Sequence, residues 1–299
     1  MLPEIISGSN PRVKAAIRLR ESRVRRKEGL FLIDGVREIE RARRCGIVLR
    51  EIYRDAGRSN ARNSDISRSN ARDSHGPQGE SGESRHAEAL ERLTEEFRAE
   101  KISVWPVAAP LFAKMAFGDR NEGMIALAET PERSLTAFEN ALPEKPLLAV
   151  LEKIEKPGNI GAVFRSADGA GLDGVILADC GDDFFHPNAI RASLGTLFSI
   201  PSVSLSASET LEWLKKRGIP TASAICDAAI PYTTFDFSGP AAIALGSESD
   251  GLTTGWSDTA RRPDGSASVA LPMLGVADSL NISVAAAVLF YEARRQRDE

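Results

Sequence analysis

Cysteine, histidine and long apolar runs are all scarce in this chain of 299 residues, and each scarcity removes a class of protein. The three cysteines, Cys45, Cys180 and Cys226, lie far apart and form no C-x-x-C pair. They are expected to be free, buried thiols in a reducing compartment, which excludes a disulfide framework and a zinc–cysteine site. Of the three histidines, His75 and His86 fall in or beside a polar tract and His186 stands alone, so no metal constellation and no Ser-His-Asp or Cys-His order is expected. The longest apolar stretch, Ile282 to Tyr291, contains Ser283 and is too short to span a bilayer. The opening Met-Leu-Pro-Glu-Ile-Ile lacks the basic segment and apolar run of a signal peptide. A cytoplasmic protein with no membrane partner is expected. A G-x-G-x-x-G after a predicted strand is also missing. Gly158-Asn-Ile-Gly161 has the wrong spacing, and Gly169-Ala-Gly171 precedes a strand, which argues against an ordinary Rossmann site.

A net positive charge is missing too: the formal balance is −4. Its distribution is uneven. Residues 1–30 hold eight basic side chains (Arg12, Lys14, Arg18, Arg20, Arg23, Arg25, Arg26 and Lys27) against three acidic ones. A basic patch on an acidic protein points to one surface for a polyanion, and arginine suits phosphate forks. The alternative is a solvated helix face.

Residues 11–28 read as a basic helix, Val36 to Cys45 as another and Ile47 to Tyr53 as a strand. Residues 57–88 then turn to Ser, Asn, Arg, Gly and Asp, with a near-repeat of Arg58-Ser-Asn-Ala-Arg-Asn-Ser64 in Arg68-Ser-Asn-Ala-Arg-Asp-Ser74. Such a tract buries too little surface to offset its ordering entropy and is expected to be a disordered insertion, a neutral spacer in preference to an Arg/Ser tract that itself touches RNA. A helix over 87–101 and strands at 102–107 and 124–128 follow, and residues 131–145 read as a proline-bearing linker. From Pro146 strands are expected at 147–154, 174–179, 201–206, 219–225, 241–246 and 267–272. Helices alternate with them at 160–170, 187–195, 208–217, 253–260 and 279–296. Short apolar strands without polar alternation imply an α/β domain whose mostly parallel sheet is covered on both faces.

Three clusters carry chemistry. In Glu155 to Gly171, a helical wheel puts Ile160, Val163, Phe164 and Ala167 on one face, with Gly161 and Arg165 opposite. Arg165 then stands beside a bare glycine surface that a ligand can approach, or is a surface residue beside a glycine kept for packing. In Ala242 to Leu252, Glu248 follows an apolar strand in a loop closed by Gly251. Strand carboxyl ends are where open α/β sheets bind ligands, although an acidic group also suits a following helix. In Leu271 to Ser283, Asp278 or Ser279 is suited to cap the last helix, while Asn281 has no evident structural reason. That helix is apolar nearly all round and is expected to be buried, against another subunit if need be.

In this order the clusters resemble the three motifs of the SpoU/TrmH family of SPOUT methyltransferases: Asn159, Gly161 and Arg165; Gly246, Glu248, Gly251 and Leu252; Pro272, Met273, Ser279, Leu280, Asn281 and Ser283. The bridging Asn188 to Gly195 also looks like the family, and the likeness covers residues 147–297. Ser9 to Lys14, Arg26 to Phe31, Gly35 to Glu38 and Asn121 to Gly123 are similar to the L30e-like substrate-binding domain that precedes the catalytic domain in ribosomal-RNA members. The resemblance implies an RNA-binding domain over 1–130 and a SPOUT α/β trefoil-knot domain over 146–299. It implies S-adenosylmethionine (SAM) as cofactor, no metal, a homodimer, and methyl transfer to a ribose 2′-oxygen of RNA. Ribosomal RNA is the expected substrate, with a tRNA enzyme or a non-catalytic RNA-binding assembly factor as alternatives. It implies cofactor contacts at Leu245, Gly246, Gly251, Leu271, Met273 and Leu280, and catalytic roles for Arg165, Asn159, Glu248, Ser279 and Asn281. RNA contacts fall to Arg12, Lys14, Arg18, Arg23, Arg26 and Arg165.

Overall fold

In the computed structural model, residues 2–58, 82–118, 121–181, 183–253, 255–256 and 263–298 are described, with 82–84 as backbone alone. The chain divides into two compact units, Met1–Pro131 with Phe185–Pro187, and Glu132–Phe184 with Asn188–Glu299.

The first unit is built on a four-stranded sheet in the order β1 (Leu30–Asp34), β4 (Met124–Glu129), β2 (Leu49–Asp55), β3 (Ser103–Val107). The β1–β4 and β2–β4 pairs are antiparallel and β2–β3 is parallel. Helices α1 (Pro11–Arg18) and α5 (Ala109–Met115) bury Val13, Ala16, Leu111, Phe112 and Met115 in one core with Leu32, Tyr53 and Ile125 of the sheet. Helices α3 (Val36–Arg44) and α4 (Gly82–Ala99) are linked by ion pairs of Arg43 with Glu96 and Glu100 and of Arg92 with Glu40. The single helix expected over 11–28 is two, α1 and α2 (Ser22–Glu28). The break is stable because the buried Arg25 guanidinium donates to the carbonyls of Leu19 at 2.6 Å and Arg20 at 2.7 Å. The expected insertion at 57–88 lies for the most part outside the described residues. Its last part is the start of α4, which begins before the expected residue 87.

The second unit carries a seven-stranded sheet, all of whose pairs are parallel. Its order is β7 (Ser202–Leu205), β6 (Gly174–Ala178), β5 (Leu147–Glu152), β10 (Ala241–Leu245), β8 (Thr221–Ala224), β11 (Ala267–Ala270), β9 (Ile230–Pro231). Every residue of β5, β6 and β10 is buried, as continuous apolar runs require when both faces are covered. On one face α6 (Leu135–Ala141) and α9 (Ala207–Arg217) contribute Phe138, Trp213 and Leu214 to a core with Leu148, Val150, Ile176 and Ala244. On the other, α7 (Pro157–Ala170) packs against α10 (Ile282–Asp298). Residues 131–145, expected as a linker, therefore contain a helix: Ser134 caps α6 and Phe138 anchors it. The expected helix over 253–260 falls largely outside the described residues. No helix among the described residues is long and apolar enough to cross a membrane.

Candidate cofactor and active site

β10 delivers the chain at Leu245 to a loop that folds back on itself. Ser247 and Gly251 exchange backbone hydrogen bonds of 3.1 and 3.0 Å, and Gly251 adopts φ +64°, a left-handed turn that favours glycine. The closure leaves no room at Gly246, where an added Cβ would lie 2.1 Å from the carbonyl carbon of Gly251. This loop, the segment after β8 and the 271–280 segment enclose a cavity of about 390 Å³. Leu245, Gly246, Gly251, Leu271, Met273 and Leu280 line it, as do Glu248 and Ser279. Apolar walls with a few polar groups, of this size and at strand carboxyl ends, suit a nucleoside cofactor.

Glu248 stands on the rim of that cavity and joins three segments. Its Oε1 accepts from Asn159 Nδ2 at 2.6 Å and from Asn281 Nδ2 at 3.2 Å, and its Oε2 pairs with Lys156 Nζ. The Lys156 ammonium and then the Asn159 amide hold the Glu248 carboxyl below its ordinary range. The charge is thus present at neutral pH. The cross-link weakens only as pH falls through that depressed value. Asn281 also has the structural reason that its sequence position hides. It caps α10, accepting at Oδ1 from Ser283 N at 3.0 Å and Ser283 Oγ at 2.6 Å. The caps expected at Asp278 or Ser279 are displaced by it, and α10 starts at Ile282.

Arg165 is placed apart from this group. It is exposed on α7, with no hydrogen bond or ion pair to a described residue, and lines neither the cofactor cavity nor the smaller one beside Lys153, Lys156 and Glu248. Of the two readings of the glycine beside it, packing holds. Gly161 is buried, and a Cβ there would meet the Ala189 carbonyl at 2.3 Å, so this glycine serves helix packing. Sequence reasoning missed Lys156, for which no pattern signals a role. It also missed Ile225, Cys226 and Asp227, which line the cavity just past β8 and were signalled only by their place at a strand end.

The cysteines differ from expectation: Cys45 and Cys226 are exposed. Cys180 is largely enclosed, and burial pushes its thiol up to about 11. At pH 8 iodoacetamide is expected to label Cys45 and Cys226 and spare Cys180, since the thiolate is the reactive form. SAM should slow labelling at Cys226 alone. Mass spectrometry of the labelled peptides checks this, and equal protection of Cys45 would contradict it.

In the first unit Arg12, Lys14, Arg18, Arg23 and Arg26 are all exposed. Arg12 pairs with Glu51 and lies over the Trp105 ring, 4.5 Å from its centroid. Arg25 and Arg20 are held internally as well: Arg25 donates to the Leu19 and Arg20 carbonyls just past α1, and Arg20 to the Lys114 and Ala116 carbonyls, both at 2.7 Å. No cluster of metal-ligating side chains occurs among the described residues.

A parallel sheet with a cofactor-sized cavity at its carboxyl edge defines an α/β protein with a ligand site at the strand ends. Residues 146–291 match the SpoU rRNA Methylase family, and residues 10–126 match the MRM3-like substrate binding domain. The crystal structure of an RNA 2′-O ribose methyltransferase superposes with a TM-score of 0.78 at 36% identity, covering 99% of this chain and 100% of that one. The SpoU methyltransferase AviRb from Streptomyces viridochromogenes, in complex with AdoMet, superposes with a TM-score of 0.75 at 27% identity over 97% of this chain and 99% of that one. A Streptomyces viridochromogenes 23S rRNA (uridine(2479)-2′-O)-methyltransferase is 34% identical over 61% of this chain, which spans 64% of that protein. The chain belongs to the SpoU rRNA methylase family. It is a methyltransferase, and SAM is its cofactor.

Proposed function

We propose that this protein methylates a ribose 2′-hydroxyl of ribosomal RNA, working as a cytoplasmic homodimer. The observation that carries the reading is the Glu248 cross-link: one carboxylate ties Asn159 and Asn281 together on the rim of the cofactor cavity. It thereby gathers residues from all three motif segments. The family match and the 23S rRNA activity named for the Streptomyces relative support ribosomal RNA over tRNA.

SAM supplies an electrophilic methyl group on a cationic sulfur. A sugar hydroxyl is a weak nucleophile, so the protein has to hold it in line and stabilise the negative charge that develops on its oxygen. Asn159, Ser279 and Asn281 offer neutral polar groups for orienting the ribose, and Glu248 keeps two of them in place. Arg165 anchors a substrate phosphate with its planar fork and stabilises the nascent oxyanion. Because Arg165 does not line its own chain's cavity, the active site is completed by the Arg165 of a second copy. Exposed apolar side chains support that dimer. Val284, Val288 and Tyr291 are exposed along α10 at helical spacing, and Leu274, Val276 and Leu280 are exposed as well. The first unit, with Arg12, Lys14, Arg18, Arg23 and Arg26, supplies sequence-independent phosphate contacts. The second unit performs the transfer.

Mapping 2′-O-methyl sites in ribosomal and transfer RNA from cells with and without the gene tests the reading. One ribosomal position should lose its mark. Loss at a tRNA position overturns the substrate assignment, and no loss anywhere in cells that express the protein overturns the activity.

A further inference from the structure

We propose that Glu152 is a positioning residue for the cofactor cavity, setting the root of the loop that forms its wall. The inference rests on reading the cavity as the SAM site. Glu152 ends β5 and is wholly buried. Its Oε2 accepts from the Thr253 backbone N–H at 2.7 Å. Its Oε1 accepts from the Thr253 hydroxyl at 2.6 Å and the Trp256 indole N–H at 3.1 Å. All three partners are neutral, so this is not a salt bridge kept for charge balance.

The chemistry of the donors explains why the residue is an acid. A peptide N–H and an indole N–H can only donate, and each carboxylate oxygen receives one of them. Glutamine would fill the same volume, but in either orientation its NH₂ would face one of those donors. Burying a carboxylate is costly, and only an acceptor on both sides satisfies this pocket.

The topology ties Glu152 to the cavity. In the β5–β10 register Leu151 stands opposite Leu245, so Glu152 lies level with the point where the chain leaves β10 as Gly246. From there the loop passes Glu248, closes at Gly251 and returns to β5 at Thr253. The β5–α7 connection that starts at Glu152 continues to Lys156 and Asn159, which hold Glu248. Residues 152–159 therefore grip the 246–253 loop at two points, Glu152 at its root and Asn159 at its tip. Gly246, Glu248, Gly251 and Leu252 of that loop line the cavity.

The test uses the full-length protein and three variants, Glu152→Gln, Glu152→Asp and Trp256→Phe. SAM affinity is measured by calorimetry, and folding by circular dichroism and Tm. One opposed buried donor should weaken SAM binding by about tenfold or more in Glu152→Gln. Glu152→Asp, which keeps two acceptor oxygens, should recover part of that loss. Trp256→Phe, which removes one N–H from the same pocket, should weaken binding less. The double variant Glu152→Gln/Trp256→Phe should bind SAM no worse than Glu152→Gln alone, because the two changes remove a shared bond. A folded Glu152→Gln protein with a lowered Tm and wild-type SAM affinity would overturn the proposal, since the acid would then serve stability alone. If Glu152→Gln does not fold, wild-type affinity in Trp256→Phe overturns it equally. Wild-type protein that fails to bind SAM refutes the cofactor reading itself, a distinguishable result.

Discussion

Replacing Arg165 by alanine is expected to abolish methyl transfer while leaving SAM affinity close to that of the unaltered protein. The side chain is exposed on α7 and off the apolar stripe of Ile160, Val163, Phe164 and Ala167, so its removal leaves no hole in the core. It does not line the cofactor cavity, so the cofactor should not register its loss. In the proposed mechanism its charge is needed only when the RNA phosphate and the developing oxyanion are present, and an interaction made there appears in the rate. Loss of one such stabiliser typically costs roughly 100- to 1000-fold. Arg165→Lys should restore little, because an ammonium lacks the planar fork that holds phosphate in register. Single-turnover transfer combined with equilibrium SAM binding reads both effects. A variant that transfers methyl at the unaltered rate would reduce Arg165 to a surface residue, and one that does not fold would make it structural.

Gly246→Ala is expected to do the opposite and weaken SAM binding. The new Cβ would stand 2.1 and 2.3 Å from the carbonyl carbon and oxygen of Gly251 and 2.3 Å from the Leu252 nitrogen. All three are backbone atoms, so no rotamer change relieves the clash, and the closed loop must open. Overpacking of this kind costs about 1–3 kcal/mol. Here the cost falls on the cavity wall, and SAM affinity should drop by about tenfold or more. Gly239→Ala is the control: nothing lies within 4 Å of its added Cβ and its φ is unstrained. Calorimetry on both variants decides it. Equal affinities would mean that the wall tolerates a wider loop.

Element types in the second unit could be read from the sequence because burial on both faces writes an unbroken apolar run, as in Leu147 to Leu151 or Ala241 to Leu245. The boundaries shifted where a side chain outside the periodic pattern set them. Arg25 divides a basic stretch that has helical propensity throughout, and Asn281 starts α10 three residues later than the hydrophobic pattern suggests. Of the site, Asn159, Glu248 and Asn281 were readable as motif members, and the structure brings them together. Gly161 kept two readings because a glycine that admits a ligand and one that admits a neighbouring backbone look alike in one dimension, and the structure selects the second. Glu152 gave almost no sign. An acid ending an apolar strand is ordinary, and the donors that give it meaning are a hundred residues away in sequence.

The corner at Arg25 changes how the amino-terminal cations are to be understood. A basic tail held by nothing would have to give up its freedom on meeting a polyanion, and that loss subtracts from affinity. Here the guanidinium bolts the end of α1 to α2 before any partner arrives, so Lys14, Arg18, Arg23 and Arg26 ride on two short rods at a set angle. Lys14 and Arg18 are one turn apart, a rise of about 6 Å. On the proposed reading, in which they contact RNA phosphates, the cations work as a ruler: they favour a rigid RNA shape whose phosphates fall on the same marks and gain less from a strand that must be bent to fit. The one arginine that no RNA can touch is the one that keeps the scale.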